Sequence, residues 1–188
     1  MKKILSVIAT IFVVISVSAQ SEAGSLSWKP NVGITYSAVT GNSDEDSSGG
    51  IALTAGVEAM YMINEQFGAA LGMNYTGYST KDDEDDLTLT NYYFHIPVTV
   101  NYYVAQGLAL KAGVAFNVLA SAKLSYDGGS EDVKDDCKSS FIAIPVGASY
   151  ELSNGLVFDL RYNFGVGDIS KYSDGSLNSL MFTVGYKF

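Results

Sequence analysis

The chain has 188 residues, a length that suits one domain, and it is acidic, with 20 Asp and Glu against 11 Lys and Arg and a formal net charge of −9. This excess of acid argues against nucleic acid as a partner, because phosphate backbones are bound by positive charge. The single cysteine, Cys137, excludes an internal disulfide, and its neighbours Asp135 and Asp136 disfavour a nucleophilic thiolate. We therefore interpret Cys137 as an incidental loop residue; the alternative is an intermolecular disulfide.

The first predicted element is a secretory signal peptide over residues 1–19. Lys2 and Lys3 precede an apolar stretch at 4–17, and Val17-Ser18-Ala19 is typical of a cleavage site. The alternative, a membrane anchor helix, is disfavoured because spanning helices need about 20 apolar residues. The sequence therefore predicts export, with cleavage near Ala19 and one domain over residues 20–188.

Apolar and polar residues alternate in eight later segments. In the last one, the even positions from Leu180 to Phe188 are apolar or aromatic, whereas Thr183, Gly185 and Lys187 occupy the other face. This two-residue period predicts strands. The eight predicted strands cover 32–38, 51–61, 67–75, 92–102, 108–118, 142–150, 156–166 and 180–188.

The two faces of the predicted strands differ in a way that indicates a membrane. The apolar face carries no charge, and the opposite face is rich in glycine, hydroxyl and amide residues. Small polar residues suit the narrow interior of a closed barrel. The apolar face then meets lipid, where a charge at mid-bilayer costs ~2–4 kcal/mol. We predict an all-β fold, an eight-stranded antiparallel up-and-down transmembrane β-barrel.

The predicted connections alternate in length. Short turns at 63–66, 104–107 and 153–155 alternate with long polar loops at 40–49, 79–88, 123–138 and 168–176. Bacterial outer-membrane barrels have this pattern, with short turns facing the periplasm. Aromatic belts are predicted at the two membrane interfaces. The inner belt comprises Tyr61, Tyr102, Tyr150 and Phe188, and the outer belt comprises Tyr36, Tyr75, Tyr92, Phe116 and Phe164.

Two strand–turn segments carry a family resemblance. The run from Tyr93 through His95-Ile96-Pro97 to Tyr103, followed by Gly107-Leu108, resembles the core of the porin-family outer-membrane β-barrel domain, as does the stretch 150–162. These are small eight-stranded barrels of the OmpA/OmpX type. Members often carry an acidic residue where His95 stands. The terminal Gly185-Tyr186-Lys187-Phe188 is similar to a closing-strand signal, so the resemblance implies outer-membrane lipid and, through Phe188, the barrel-assembly machinery as partners.

Charged residues on the predicted inner face form the first candidate site. Glu58, Lys111, Asp159 and Arg161 lie at similar depths from the short turns. Buried charge is tolerated only when it is paired, so we predict a hydrogen-bonded ion network that plugs the lumen. The alternative is a narrow small-solute channel lined by these residues. The plug is favoured because eight strands leave a lumen that side chains fill.

The single histidine, His95, is predicted to face the lumen and to belong to its polar network. A catalytic role would require a nucleophile and an orienting acid nearby, and no serine motif stands beside it. We therefore predict no catalytic residue, no enzyme activity and no cofactor. A lipid-modifying barrel enzyme remains an alternative.

Acidic residues are concentrated in the predicted long loops. They are interpreted as a solvated surface; the alternative is weak divalent-cation binding, because clustered carboxylates suit hard ions such as calcium. The candidate cation-binding residues are Asp82, Asp83, Glu84, Asp85, Asp86, Asp135 and Asp136.

The sequence as a whole predicts a bacterial outer-membrane barrel with a structural or surface-interaction role and no catalysis. Its rigid wall would present loops that bind an extracellular ligand or a divalent cation. Three different functions compete with this one: a small-solute channel, a lipid-modifying enzyme and a secreted lipocalin-like binder.

Overall fold

The computed structural model describes residues 22–41, 47–82, 87–126, 129–132, 139–166 and 175–188. The predicted signal peptide, Cys137 and the acidic residues at 83–86, 135 and 136 lie outside these ranges. The strands are β1 (Leu26–Gly41), β2 (Ser47–Met62), β3 (Phe67–Asp82), β4 (Leu87–Ala105), β5 (Leu108–Tyr126), β6 (Gly129–Asp132), β7 (Ser140–Glu151), β8 (Leu156–Val166) and β9 (Gly175–Tyr186). No helix among the described residues is long and apolar enough to span a membrane.

Eight of these strands form a closed antiparallel barrel, as predicted. Each pairs with its neighbour along the chain, β5 pairs with β7, and β9 returns to pair with β1. Strand β6 is not part of the wall. It folds back on the end of β5, where Lys123 is the register partner of Asp132. Closure leaves no sheet edge within the wall, which is the requirement for backbone that crosses lipid.

The strands are staggered around the barrel. A row of register partners that starts at Asn31 on β1 can be followed in both directions. Through Gly56, Asn74, His95 and Asn117 it reaches β7 at Phe141. Through Gly185 and Val157 it reaches the same strand at Glu151, ten residues away. The rows are therefore inclined to the barrel axis, and residues at one height are not register partners.

The two faces point as the alternation predicts. Val98 and Leu160 on the outer face are 50% and 48% exposed, whereas Thr99 and Arg161 on the inner face are each 2% exposed. Aromatic side chains also pair on the outer face: Tyr75 on β3 stacks on Tyr92 on β4 with ring centroids 5.1 Å apart. A surface with apolar groups outside and polar groups inside requires hydrocarbon around it.

The short turns close through specific local chemistry. In the first, the Asn64 side-chain oxygen accepts hydrogen bonds from the backbone N–H groups of Gln66 and Phe67, at 2.9 and 2.8 Å. In the other two, Gly107 and Gly155 adopt φ values of 77° and 86°. Residues with a Cβ disfavour this left-handed region, so glycine is required at these turns.

The predicted long loops are too long, and this part of the prediction is wrong. Strand β3 continues to Asp82 and β4 starts at Leu87, so most of the predicted loop 79–88 is paired strand. Strand β5 also runs on to Tyr126. Apolar alternation marks only the part of a strand that meets lipid. Beyond the lipid the hydrogen-bonded strands continue with polar side chains. A search for alternating apolar and polar residues assigns such a stretch to a loop.

Candidate functional site

Five charged side chains meet inside the barrel near the end that carries the short turns, called the turn end below. Glu58 forms an ion pair with Lys29 at 2.8 Å and accepts hydrogen bonds from Lys111 at 3.0 Å and from Arg161 at 2.9 Å. Asp159 accepts from Lys111 and from the Arg161 Nε, both at 2.6 Å, and from Lys29 at 3.1 Å. All four carboxylate oxygens are therefore engaged. Three cations against two carboxylates leave this ion cluster with a net charge of +1.

The fold explains why these residues meet. Lys29 and Glu58 are register partners across β1 and β2. Asp159 and Arg161 stand two residues apart on β8, so both face inward, and Lys111 reaches them from β5. The five side chains are between 1% and 6% exposed. The cluster is thus a paired, buried network of charges inside the barrel.

The structure brings together Glu58, Lys111, Asp159 and Arg161, the four charges that the sequence placed at similar depth. Sequence reasoning missed Lys29, because the first strand was predicted to start only at Val32. The sequence nevertheless contained a signal for Lys29, because it occupies an odd-numbered position, as do Asn31 and the inward-facing residues that follow on the same strand.

His95 lies in a different layer of the lumen. Its Nδ1 is 2.8 Å from the Asn117 side-chain oxygen, and the Tyr78 hydroxyl donates to that same oxygen at 3.1 Å. His95 is fully buried. The structure therefore places His95 inside the barrel but outside the ion cluster.

Apolar side chains pack inside the barrel on both sides of these polar layers. Toward the opposite end of the barrel, the loop end, they form an aromatic plug in which the Tyr93 and Phe141 ring centroids are 5.1 Å apart. The plug comprises Tyr78, Tyr93, Leu119, Phe141 and Leu177. At the turn end, Met60 and Met62 pack together, and the Tyr103 hydroxyl is 3.4 Å from the Met60 sulfur. The sequence prediction of a small, polar interior missed both apolar layers.

A further ion pair lies at the turn-end mouth. Lys187 donates to Glu151 at 2.5 Å across this mouth. The adjacent pocket, lined by Lys29, Glu58 and Tyr103 among others, has a volume of about 10 Å³, which is room for one water molecule.

The structure does not assemble a metal site from the residues it describes: no three His, Cys, Asp or Glu side chains there are placed to hold an ion. The candidate cation-binding residues lie outside the described residues, except for Asp82, whose backbone ends β3.

Known protein families and solved structures include relatives with the same barrel fold. Residues 7–188 match the family described as outer membrane protein beta-barrel domain. No curated protein sequence matches the chain. Solved structures with the same fold include Ail, the attachment invasion locus protein of Yersinia pestis, at 19% identity and a TM-score of 0.53, covering 88% of this chain and 99% of Ail.

Two other structures are similar. Neisserial surface protein A aligns at 15% identity with a TM-score of 0.51, covering 89% of this chain and 100% of that protein. The outer membrane protein OprG from Pseudomonas aeruginosa aligns at 14% identity with a TM-score of 0.50, covering 92% and 99%. At these identities the likeness establishes the fold alone. Since the family match spans nearly the whole chain, this protein belongs to the outer membrane protein β-barrel domain family.

Proposed function

We propose that this protein is a non-conducting, non-enzymatic barrel that anchors surface-exposed segments in the bacterial outer membrane. The observation that carries the proposal is the buried ion cluster, with apolar layers on both sides of it. Together they fill the lumen at several levels, and the function is then left to the segments at the loop end.

The energetics of the ion cluster favour a permanently closed lumen. A path for solute would have to separate Glu58 or Asp159 from its partners, and removing one partner of a buried ion pair costs about 3–5 kcal/mol. A state that much higher in free energy is populated at roughly one part in 10² to 10⁴. A steady channel would need far more open molecules than this.

The geometry also disfavours a lipid-modifying enzyme and a lipocalin-like binder. His95 is fully buried, and its Nδ1 is bonded to Asn117, so it offers no base to a lipid substrate outside the barrel. A lipocalin-like binder would need an apolar ligand cavity inside, whereas here the inner face is mainly polar and the apolar face points outward.

The loop end supplies the surface for interaction. Strands β3 and β4 remain paired up to Asp82 and Leu87, so a rigid ladder carries the acidic segment 83–86. A rigid scaffold that holds variable segments is the usual arrangement for recognition. We propose that these segments bind an extracellular ligand or, weakly, a divalent cation, and that the signal peptide at 1–19 and Phe188 serve export and barrel assembly.

Planar-bilayer recording tests the closed lumen. The mature chain is folded into lipid, and its insertion is verified by its shifted migration in gel electrophoresis without boiling. Folded protein that produces no stable current steps supports the proposal. Reproducible single-channel steps from the same sample would establish the small-solute channel instead.

Two further measurements test the remaining roles. Mass spectrometry of lipid A from cells that overexpress the protein should show no new species, and a modified lipid A would reveal an enzyme. Calorimetric titration with calcium chloride tests the acidic segment, with the Asp-to-Asn and Glu-to-Gln variant of residues 82–86 as the control. Heat that is absent from both proteins ends the cation proposal.

A further inference from the structure

Several buried polar atoms in the middle of the lumen have no hydrogen-bond partner among the described residues. The Arg161 Nη1 is the one cationic donor in this set, and the acceptors include the Asn74 Oδ1 and the His95 Nε2, together with the Thr99 hydroxyl. Each of these four side chains is at most 2% exposed. A buried polar group left unsatisfied costs about 1–3 kcal/mol, so a ligand that bonds to these atoms would stabilise the fold.

The stagger of the strands brings these atoms to one height. The register row from Arg161 passes through Gly147 and Lys111 to Asn101 on β4. The rows are inclined by ten residues around eight strands, which is about four residues over three strands. The residue of β4 at the same height as Arg161 therefore lies about four residues from Asn101, toward the loop end, near Pro97. Arg161 therefore lies level with the stretch of β4 between Thr99 and His95.

One contact agrees with this placement. In the other direction, the register row from Arg161 passes through Met181 and Thr35 to Ala52. The same correction moves the level on β2 from Ala52 toward Glu58, which Arg161 contacts.

The chemistry of the set selects the ligand. The ion cluster has a net charge of +1, which by itself would favour an anion. A simple anion such as chloride donates no hydrogen bond, however, so it would leave the Asn74 oxygen and the His95 Nε2 unsatisfied and would be repelled by the amide oxygen. Water is the smallest neutral molecule that both accepts from the guanidinium and donates to the two acceptors, and buried polar groups typically bind it.

We propose that the lumen holds an internal water site between Arg161 and His95, enclosed between the ion cluster and the aromatic plug. The water accepts from the Arg161 Nη1 and donates to the His95 Nε2, with the Thr99 hydroxyl and the Asn74 oxygen as further partners. It links the ion cluster to the layer of His95, Asn117 and Tyr78. In this arrangement the Nδ1 of His95 carries the proton and donates to Asn117.

Because His95 is the single histidine, nitrogen NMR of the full mature chain labelled with ¹⁵N-histidine gives one unambiguous imidazole. The site predicts a protonated Nδ1, an unprotonated Nε2 with the shift of a hydrogen-bonded acceptor, and magnetisation transfer from water protons to Nε2. A protonated Nε2, an Nε2 with the shift of a free acceptor, or the absence of transfer from water would overturn the proposal.

Two variants separate the partners of His95. Arg161→Lys keeps the positive charge but removes Nη1, so transfer from water to Nε2 should weaken several-fold. Tyr78→Phe is the matched control, because it removes a partner on the Nδ1 side and should leave the transfer at Nε2 unchanged. Unchanged transfer in Arg161→Lys would show that the guanidinium does not hold the water. If that variant fails to fold, Thr99→Val provides the same comparison.

Discussion

Removing Glu58 from the ion cluster should destabilise the barrel far more than removing Lys29. Glu58→Gln keeps the shape of the side chain but leaves three cations facing one carboxylate, so the net charge rises from +1 to +2. Lys29→Met also breaks two ion pairs, yet it leaves two cations facing two carboxylates. The count of charges, rather than the count of contacts, therefore decides which variant is less stable.

The magnitude follows from burial. Glu58 is 1% exposed and binds three cations within 3.1 Å. Leaving buried charge unpaired costs about 3–5 kcal/mol, which lowers the folding equilibrium constant by roughly two to four orders of magnitude. For Lys29→Met we expect a loss below about 2 kcal/mol, since replacing buried charge with apolar volume is often close to neutral.

Urea titration in lipid vesicles, with the shifted gel band as the measure of folded protein, gives both values. Glu151→Gln is the matched control, because its side chain lies at the mouth and is 12% exposed; its loss should be smaller than that of Glu58→Gln. The reasoning is refuted if Lys29→Met costs as much as Glu58→Gln, or if Glu58→Gln is neutral.

Three other predictions use the same assays. Val98→Lys on the outer face should cost ~2–4 kcal/mol, whereas Ile63→Lys in a turn at the membrane surface should cost at most about 1 kcal/mol; equal losses would contradict the lipid-facing assignment. Gly113→Ala should reduce the yield of folded barrel, since a Cβ there clashes with the Val98 carbonyl oxygen; a normal yield would contradict this. Phe141→Ala should lose about 3–5 kcal/mol and still pass no current, because the ion cluster remains closed; current steps would identify the aromatic plug as the only barrier.

The alternation of apolar and polar residues predicts most of the barrel wall because every second side chain of that part of the strand contacts lipid. A side chain such as Val98 must be apolar to meet hydrocarbon, and its neighbour Thr99 must be small and polar to fit inside. Strand number, antiparallel order and facing follow from that period. The ends of the strands do not follow from the period, because outside the membrane two paired strands need only their backbone hydrogen bonds. Ser79 and Thr90 are register partners despite lying in or next to a predicted loop.

The interior was only partly predictable for a related reason. Parity identifies which residues face inward, and it would have included Lys29 had the first strand been extended past Pro30. The height of a side chain inside the barrel depends on the stagger between neighbouring strands, and the local sequence does not determine that stagger. For that reason His95 was grouped with the ion cluster, although the fold bonds it to Asn117 in another layer. Inward aromatics such as Tyr93 were missed because the prediction placed only polar, charged and small residues inside.

Spin labelling in lipid vesicles tests the orientation of the barrel wall most directly. In a Cys137→Ser background, single labels are placed at Val98 and Leu160 on the outer face and at Asn64 in a turn. A lipid-facing outer wall predicts strong relaxation by oxygen and weak relaxation by a water-soluble paramagnetic agent at the first two sites, with the reverse at Asn64. Labels at Val98 and Leu160 that are shielded from oxygen, or that respond like Asn64, would contradict this orientation.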